Sequence, residues 1–236
     1  MKRILGPLRR GIEKYEMIKP GDRIAIGLSG GKDSTALLVA MKRFQYFSPV
    51  AFELEGITLD MGFGGMDLSP LVDLCAKLEV PYTIKKTSIG PIVFEERQEK
   101  NPCSLCARMK RGALHDLAIE RGCRTIALGH HADDAIETFF LSLFYEGRIN
   151  TFSPVTYLDR KDITLIRPLI FVKERDIIGD PEMKELPVIQ STCPANGYTK
   201  RQDIKNMIKN LRKTIPNLDD RVLGAIQNKE QLNLWF

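Results

Sequence analysis

The sequence has few of the features that mark membrane or secreted proteins. No stretch reaches the roughly 18 apolar residues that a membrane-crossing helix needs. The N-terminal MKRILGPLRR has neither the apolar core nor the small-residue cleavage site of a signal peptide. Cysteine is scarce and odd in number, five among 236 residues, which argues against a disulfide framework and for thiols or metal ligands. We therefore expect a cytoplasmic protein that does not contact a membrane.

Basic side chains are concentrated near the two ends of the chain. Residues 1–23 contain seven basic and three acidic side chains, and residues 199–214 contain six and one. The ends therefore sum to +9, and the rest of the chain carries −4 of a net +5. Such basic segments are either solvated surface or contacts for a nucleic acid.

Apolar runs of strand length alternate with helical patterns, which predicts an α/β fold with a doubly wound, mostly parallel sheet. The predicted strands are Arg23–Leu28, Ala51–Leu59, Tyr82–Thr87, Thr125–Leu128, Ile163–Arg167 and a short one at Val188–Gln190. The predicted helices are Ser34–Arg43, Ser69–Glu79, Ser104–Arg121, Asp133–Tyr145 and Lys173–Leu186. Beyond Gln190 the alternation stops, and a basic amphipathic helix follows with apolar residues at Ile204, Met207, Ile208 and Leu211.

This pattern divides the chain into three parts. We expect a basic N-terminal segment at residues 1–22, a central α/β domain at 23–190, and a basic helical C-terminal segment at 191–236.

The sequence SGGKDS, residues 29–34, lies between the first predicted strand and the first predicted helix. Backbone N–H groups and the positive end of the helix dipole make such a position suitable for an anion. The Walker A pattern needs a glycine five residues before Gly31, where Ile26 stands, and the dinucleotide fingerprint G-x-G-x-x-G cannot be placed here either. A capped turn without a ligand is the simpler alternative.

Two further motifs carry reactive side chains. In NPCSLCARMKR, Cys103 and Cys106 have C-x-x-C spacing at the start of a helix, which alone fits zinc, redox or iron-sulfur roles. Cys75 and Cys123 lie in apolar patterns typical of core positions, whereas Cys193 lies in a loop that follows a predicted strand. In IALGHHADDAIETFF, two histidines and two aspartates follow a strand. Asp133 and Asp134 could be helix caps and His130 or His131 a loop residue, but the position of the segment at the carboxyl edge of the sheet favours site residues.

The SGGKDS loop resembles the PP-loop of ATP pyrophosphatases, which adenylate a substrate and release pyrophosphate. With CSLCARMKRG, ALGHHADDAIET and LIRPLI following in that order, the chain is similar to the tRNA 2-thiocytidine synthetase family, within the iron-sulfur-dependent tRNA thiolases. The resemblance covers about residues 20–215. It implies an adenine nucleotide alpha hydrolase-like fold and assigns residues 23–190 to a PP-loop ATP pyrophosphatase domain.

The resemblance also implies a reaction and a set of site residues. ATP activates the C2 oxygen of an anticodon-loop cytidine, and sulfur then displaces AMP. The implied cofactors are ATP, Mg²⁺ and a [4Fe-4S] cluster, the last held by Cys103, Cys106 and Cys193. The implied nucleotide-binding residues are Ser29, Gly30, Gly31, Lys32, Asp33, Ser34, Thr58, Asp60, Gly129 and His130. The implied catalytic residues are Lys110, Asp134 and Asp33.

The implied partners are tRNA and a source of sulfur, either sulfide or a cysteine desulfurase system. Family members are often dimers, so a homodimer is also expected. Members often carry two cysteines where this chain has only Cys193.

Other interpretations of the same residues remain open. The target base could be a uridine, or Cys103 or Cys106 could carry a persulfide with no cluster present. Zinc could occupy the thiols, with His115, His130 or His131 as a fourth ligand. The chain could also be a zinc-stabilised, nucleotide-binding RNA-binding protein that catalyses no reaction.

Overall fold

Six strands form one sheet in the computed structural model, which describes residues 1–97, 102–190, 192–194, 200–228 and 230. The strands are β1 (Arg23–Gly27), β2 (Glu53–Asp60), β3 (Tyr82–Lys86), β4 (Thr125–Ala127), β5 (Val155–Leu158) and β6 (Ile163–Ile166). Their order is β3-β2-β1-β4-β6-β5. All neighbouring pairs are parallel except β5 with β6. The predicted α/β class with a mostly parallel sheet is confirmed.

Helices cover both faces of this sheet and form the C-terminal part of the chain. They are α1 (Lys2–Lys14), α2 (Lys32–Gln45), α3 (Ser69–Lys77), α4 (Ile89–Pro91), α5 (Pro102–Glu120), α6 (Ala132–Leu141), α7 (Glu174–Gly179), α8 (Pro181–Lys184), α9 (Lys200–Thr214) and α10 (Leu218–Gln227). Short π-helical segments, Ile92–Glu96 and Ser142–Glu146, continue α4 and α6. Within the described residues, no helix is both long and apolar enough to cross a membrane.

The strand order reverses direction between β1 and β4. From β1 the chain proceeds through β2 to β3 on one side, and it then returns to place β4 on the other side of β1. The loops that leave the carboxyl ends of β1 and β4 therefore diverge and leave a crevice between them. In open α/β sheets, ligands bind at this switch point.

Side chains alternate between two apolar cores across the sheet. Ile24 and Ile26 of β1 point into a core shared with α1, α2 and α3. Ala25, between them, points into the opposite core, which includes residues of α5. A third, smaller core joins α6 to the C-terminal helices through Ile136, Ile204, Ile208 and Leu218. This third core positions the C-terminal helices beside the loop that follows β4.

The N-terminal basic segment contributes to the main core, which its charge pattern did not indicate. Ile4, Leu8 and Ile12 of α1 are 0%, 0% and 6% exposed. These residues are spaced four apart, so they form one helix face that packs on α2. The N-terminal ammonium group also pairs with Asp180.

Two sequence predictions of secondary structure are wrong. Residues 188–190 do not form a strand. The single helix predicted over Lys173–Leu186 is two short helices, α7 and α8, because Asp180 is extended and caps a new helix that begins at Pro181. Strand β5, at the exposed antiparallel edge, and helix α10 were not predicted at all.

Candidate active site

The SGGKDS loop, residues 29–34, lies at the switch point, between the end of β1 and the first turn of α2. The Ser34 hydroxyl donates to the carbonyl of Gly31 at 2.9 Å and accepts from the backbone N–H of Ser29 at 3.2 Å. Gly30 has φ +82°, a conformation that side-chain-bearing residues rarely adopt. The loop is therefore a shaped turn that opens a long helix, with backbone N–H groups available to an anion.

Residues 188–190 lie directly over this loop. The backbone N–H of Ile189 donates to the carbonyl of Gly30 at 2.8 Å. A Cβ on Gly30 would lie 2.8 Å from the Cβ of Ile189, closer than real contacts allow. Glycine at position 30 is thus required both by its backbone conformation and by this close approach.

Lys32 is surrounded by carboxylates. Its ammonium lies 2.9 Å from both carboxylate oxygens of Asp33 and 2.9 Å from Oε1 of Glu174. Burial works to lower the pKa of Lys32, but the hydrogen bonds to Glu174 and Asp33 outweigh it and raise that pKa. Burial likewise works to raise the pKa of Glu174, but hydrogen bonds from Lys32 and Lys205 lower it to about 2. Lys32 and Glu174 are therefore both charged at neutral pH.

The loop after β4 approaches the start of α2 closely. A Cβ on Gly129 would lie 3.0 Å from the backbone carbonyl of Asp33 and from the N of Ser34. The half-buried ring of His130 lies against Phe152, with ring centroids 5.0 Å apart, and its buried Nδ1 has no hydrogen-bond partner among the residues that the structure describes. Burial lowers the pKa of His130 to about 4, so this imidazole is neutral at pH 7.

His131 is the histidine that faces the SGGKDS loop. It is 3% exposed, and its Nε2 lies 3.6 Å from Oδ1 of Asp33. Its Nδ1 accepts from the backbone N–H of Asp134, and the Asp134 carboxylate accepts from the backbone N–H of His131. This capping box starts α6 and ties Asp134, through His131, to Asp33.

Helix α9 places basic side chains against the acidic groups of the site. Arg212 pairs with Asp133, Lys205 pairs with Glu174, and Arg201 lies 3.6 Å from Asp134. The sequence interpretation treated the basic charge of this segment as solvated surface or a nucleic-acid contact. At least three of its cations pair with carboxylates beside the proposed nucleotide site, and a nucleic-acid contact of the segment stays a prediction.

Thr58 and Asp60 lie at the carboxyl half of β2, beside β1. The Thr58 hydroxyl is buried, donates to the carbonyl of Leu28 at 2.7 Å and accepts from the Tyr82 hydroxyl. The carboxylate of Asp60 accepts from the backbone N–H of Gly62 at 3.0 Å. Thr58 thus holds β1 and β2 together, and a nucleotide role for both residues remains a prediction.

Cys103 and Cys106 occupy the first turns of α5, and Cys193 lies near them. Burial, followed by the charges of Cys193 and Cys103, raises the pKa of the Cys106 thiol, whereas Lys110 acts to lower it. Cys193, Cys103 and Lys110 are therefore each within electrostatic range of Cys106. We refer to Cys103, Cys106 and Cys193 as the cysteine site. In the described part of the chain, no group of three or more His, Cys, Asp or Glu side chains is arranged as a metal site.

The other two cysteines are core residues, as expected. Cys75 is 1% exposed and Cys123 is 0% exposed. Burial raises the pKa of each thiol to about 11.

Comparison with known proteins identifies the family. A model of the PP-loop domain matches residues 7–208. A tRNA-cytidine(32) 2-sulfurtransferase from Pelobacter propionicus is 36% identical over 230 residues, which are 96% of this chain and 86% of that protein. This chain belongs to the PP-loop tRNA-cytidine(32) 2-sulfurtransferase family. Family members from Neisseria gonorrhoeae and Geobacter sulfurreducens are 38% and 34% identical, each over 96% of this chain and over 72% and 90% of their own length.

Solved structures support the fold of this sulfurtransferase family member. The U34-tRNA thiolase NcsA from Methanococcus maripaludis, solved with its [4Fe-4S] cluster, has a TM-score of 0.75 at 24% identity, covering 95% of this chain and 77% of that one. An NH3-dependent NAD synthetase from Campylobacter jejuni has a TM-score of 0.50 at 18% identity, covering 96% and 92%. At these identities the likeness concerns the fold.

Sequence reasoning missed Glu174 and the ion pairs of α9. Glu174 lies in the charged helix that follows LIRPLI, but no local pattern distinguishes it from the neighbouring acidic residues. His131 was considered as a loop residue, a site residue or a zinc ligand, but only His130 was assigned to the nucleotide site, although His131 is the member of the pair that lies beside Asp33.

Proposed function

We propose that this protein is an ATP-dependent tRNA sulfurtransferase that replaces the C2 oxygen of a cytidine in the anticodon loop with sulfur. The observation that carries the proposal is the 34–38% identity to proteins of that one name over 96% of the chain. The geometry supports the proposal, because three segments meet at one end of the sheet: the SGGKDS loop, the HHADD segment and Ile189. Cys193 follows Ile189 by four positions.

The first step uses ATP. The C2 oxygen of the base attacks the α-phosphorus, the bond to the β-phosphate oxygen breaks, and pyrophosphate leaves. Backbone N–H groups of residues 29–34 and the ammonium of Lys32 would hold that pyrophosphate. Asp33 and Asp134 offer carboxylate oxygens, the ligand type that Mg²⁺ prefers, so they could hold the ion.

The second step replaces the activated oxygen. A sulfide adds to C2 of the adenylated base, the C2–O bond breaks, and AMP leaves with that oxygen. Lys110 would neutralise negative charge that develops on the adenylate. Holding the activated base and the sulfur source in one crevice supplies much of the rate advantage.

The cysteine site has the donor chemistry for an iron-sulfur cluster. The charges of Cys193 and Cys103 contribute to the raised pKa of the Cys106 thiol, which supports a shared cation at these thiols, because metal binding removes thiol protons. Cys103, Cys106 and Cys193 would hold a [4Fe-4S] cluster, leaving one iron without a protein ligand. When bound, such a cluster supplies Lewis-acidic iron for an inorganic sulfide.

We further propose that sulfide, delivered directly or by a cysteine desulfurase system, is the sulfur source. The protein would act in the cytoplasm, where its tRNA substrate is found, and could do so as a homodimer.

Anaerobically reconstituted protein tests the proposal. It is incubated with ATP, sulfide and a tRNA transcript that carries cytidine at position 32, with a uridine-32 transcript as the matched control. Mass analysis of the digested nucleosides should show 2-thiocytidine, with AMP and pyrophosphate released in equal amounts. Thiolation of uridine instead, thiolation without iron, or binding of tRNA with no AMP release would each contradict the assignment and support one of the alternatives.

A further inference from the structure

Lys32 is fully engaged before any nucleotide arrives. An ammonium group has three N–H donors. Those of Lys32 face three carboxylate oxygens, two on Asp33 and one on Glu174, each at 2.9 Å. Taken alone, this group of one cation and two anions carries a net charge of −1. Such a group would repel a phosphate chain.

Lys205 of α9 changes that balance. Its ammonium lies 3.0 Å from Oε1 and 2.9 Å from Oε2 of Glu174, on a carboxylate that is only 14% exposed. Glu174 is also fixed through its backbone, which donates to the Asp133 carboxylate at 2.6 Å. With Lys205 present, two cations balance two anions around Lys32.

We propose that Lys205 and Glu174 form a positioning pair that lets Lys32 leave Glu174 and bind the phosphates of ATP. Lys205 acts through Glu174 and has no need to touch the nucleotide. The inference rests on the proposed use of ATP at residues 29–34.

The physical reason is the cost of an unpaired carboxylate in a sheltered site. If Lys32 moves to a phosphate, Glu174 loses one of its two cations. Lys205 keeps Glu174 paired, so Lys32 can exchange one anionic partner for another without leaving a buried charge uncompensated. Of the two lysines that pair with Glu174, only Lys32 would remain if Lys205 were removed. ATP would then have to compete with the Glu174 carboxylate for Lys32.

Binding of Mg-ATP, measured calorimetrically without tRNA, tests the pair. Lys205→Met should weaken ATP binding about tenfold, which corresponds to about 1.4 kcal/mol. Lys205→Arg should retain the wild-type affinity, because it keeps the charge. Lys209→Met is the matched control, since Lys209 lies one turn further along α9 and is exposed; it should bind ATP as the wild type does.

The double variant separates a charge effect from a structural one. Adding Glu174→Gln to Lys205→Met removes the carboxylate that holds Lys32, so ATP affinity should return to within about twofold of wild type. If the two side chains only stabilised the fold, the double variant would bind ATP at least as weakly as Lys205→Met and would melt at a lower temperature.

Failure of this inference differs from failure of the proposed function. A wild-type protein that binds no ATP would overturn both. A wild-type protein that binds ATP and thiolates tRNA, together with a Lys205→Met variant that matches Lys209→Met in ATP affinity, would overturn the positioning pair alone.

Discussion

Replacing Gly129 by alanine tests whether the loop after β4 sets the shape of the SGGKDS loop. The new Cβ would lie 3.0 Å from three backbone atoms, the carbonyl carbon and oxygen of Asp33 and the N of Ser34. Ordinary contacts of this kind are 3.4–4 Å, so the loop would have to move by several tenths of an ångström. Backbone atoms at the start of a helix cannot rotate away as a flexible side chain can.

Overpacking of this kind costs about 1–3 kcal/mol. We therefore expect Gly129→Ala to lower the free energy of unfolding by about 2 kcal/mol, or the melting temperature by about 4–8 °C for a chain of this size. Because the displaced atoms carry the anion-binding N–H groups, ATP affinity should fall at least about tenfold, by at least about 1.4 kcal/mol. Urea unfolding and calorimetric ATP binding measure the two effects.

Gly112→Ala is the control. Gly112 lies in the interior of α5, and a Cβ added there would meet no heavy atom of the described residues within 4 Å beyond the backbone of its own helix and its chain neighbours. Alanine at this position should therefore stabilise the protein by about 0.5–1 kcal/mol. If the Gly129→Ala protein has the same free energy of unfolding and the same ATP affinity as the wild type, the close approach of Gly129 to Asp33 and Ser34 is not the reason for glycine at this position.

Three further outcomes follow from other parts of the structure. Leu8→Ala should cost about 2–5 kcal/mol in urea unfolding, because this residue of α1 is fully buried; an unchanged midpoint would contradict a core role for the N-terminal helix. Alanine at any position of the cysteine site should remove bound iron and tRNA thiolation together, whereas Cys75→Ala and Cys123→Ala should keep both. Iron content is measured after anaerobic reconstitution. A Cys193→Ala protein with full iron content would contradict the assignment of Cys193 as a ligand. Because the pKa of Glu174 is lowered from 4.5 to about 2, its stabilisation of about 3 kcal/mol is present above pH 4.5 and is lost as pH falls towards 2. Glu174→Gln should flatten this acid dependence, and identical acid unfolding profiles for the two proteins would argue against the ion pairs.

The sequence predicted the features that depend on neighbouring residues. The run from Arg23 to Met41 contains an apolar strand, two glycines and a helical apolar pattern, so the order of strand, loop and helix followed from local properties. The same reasoning placed both core cysteines correctly. Alternation of strands and helices then predicted the parallel sheet.

Features that depend on distant contacts were not predictable in this way. Helix α1 was treated as a basic segment, although Ile4, Leu8 and Ile12 have helical spacing and could have indicated a buried face. The apolar residues around Ile189 were predicted as a strand, but within the described part of the chain the backbone N–H of Ile189 bonds to Gly30 and no strand ladder forms. The contact of Lys32 with Glu174 joins distant parts of the chain, and no periodicity reports it.

The hydrogen bond between Ile189 and Gly30 limits how far Cys193 can lie from the SGGKDS loop. Cys193 is the fourth residue after Ile189, and a fully extended chain spans at most about 14 Å over these four steps. The polypeptide thus acts as a short tether whose fixed end is on the loop proposed to hold pyrophosphate. The tether keeps Cys193 near the crevice in which the base would be adenylated, so the activated intermediate would not have to diffuse through water, where it could be hydrolysed, before sulfur is added.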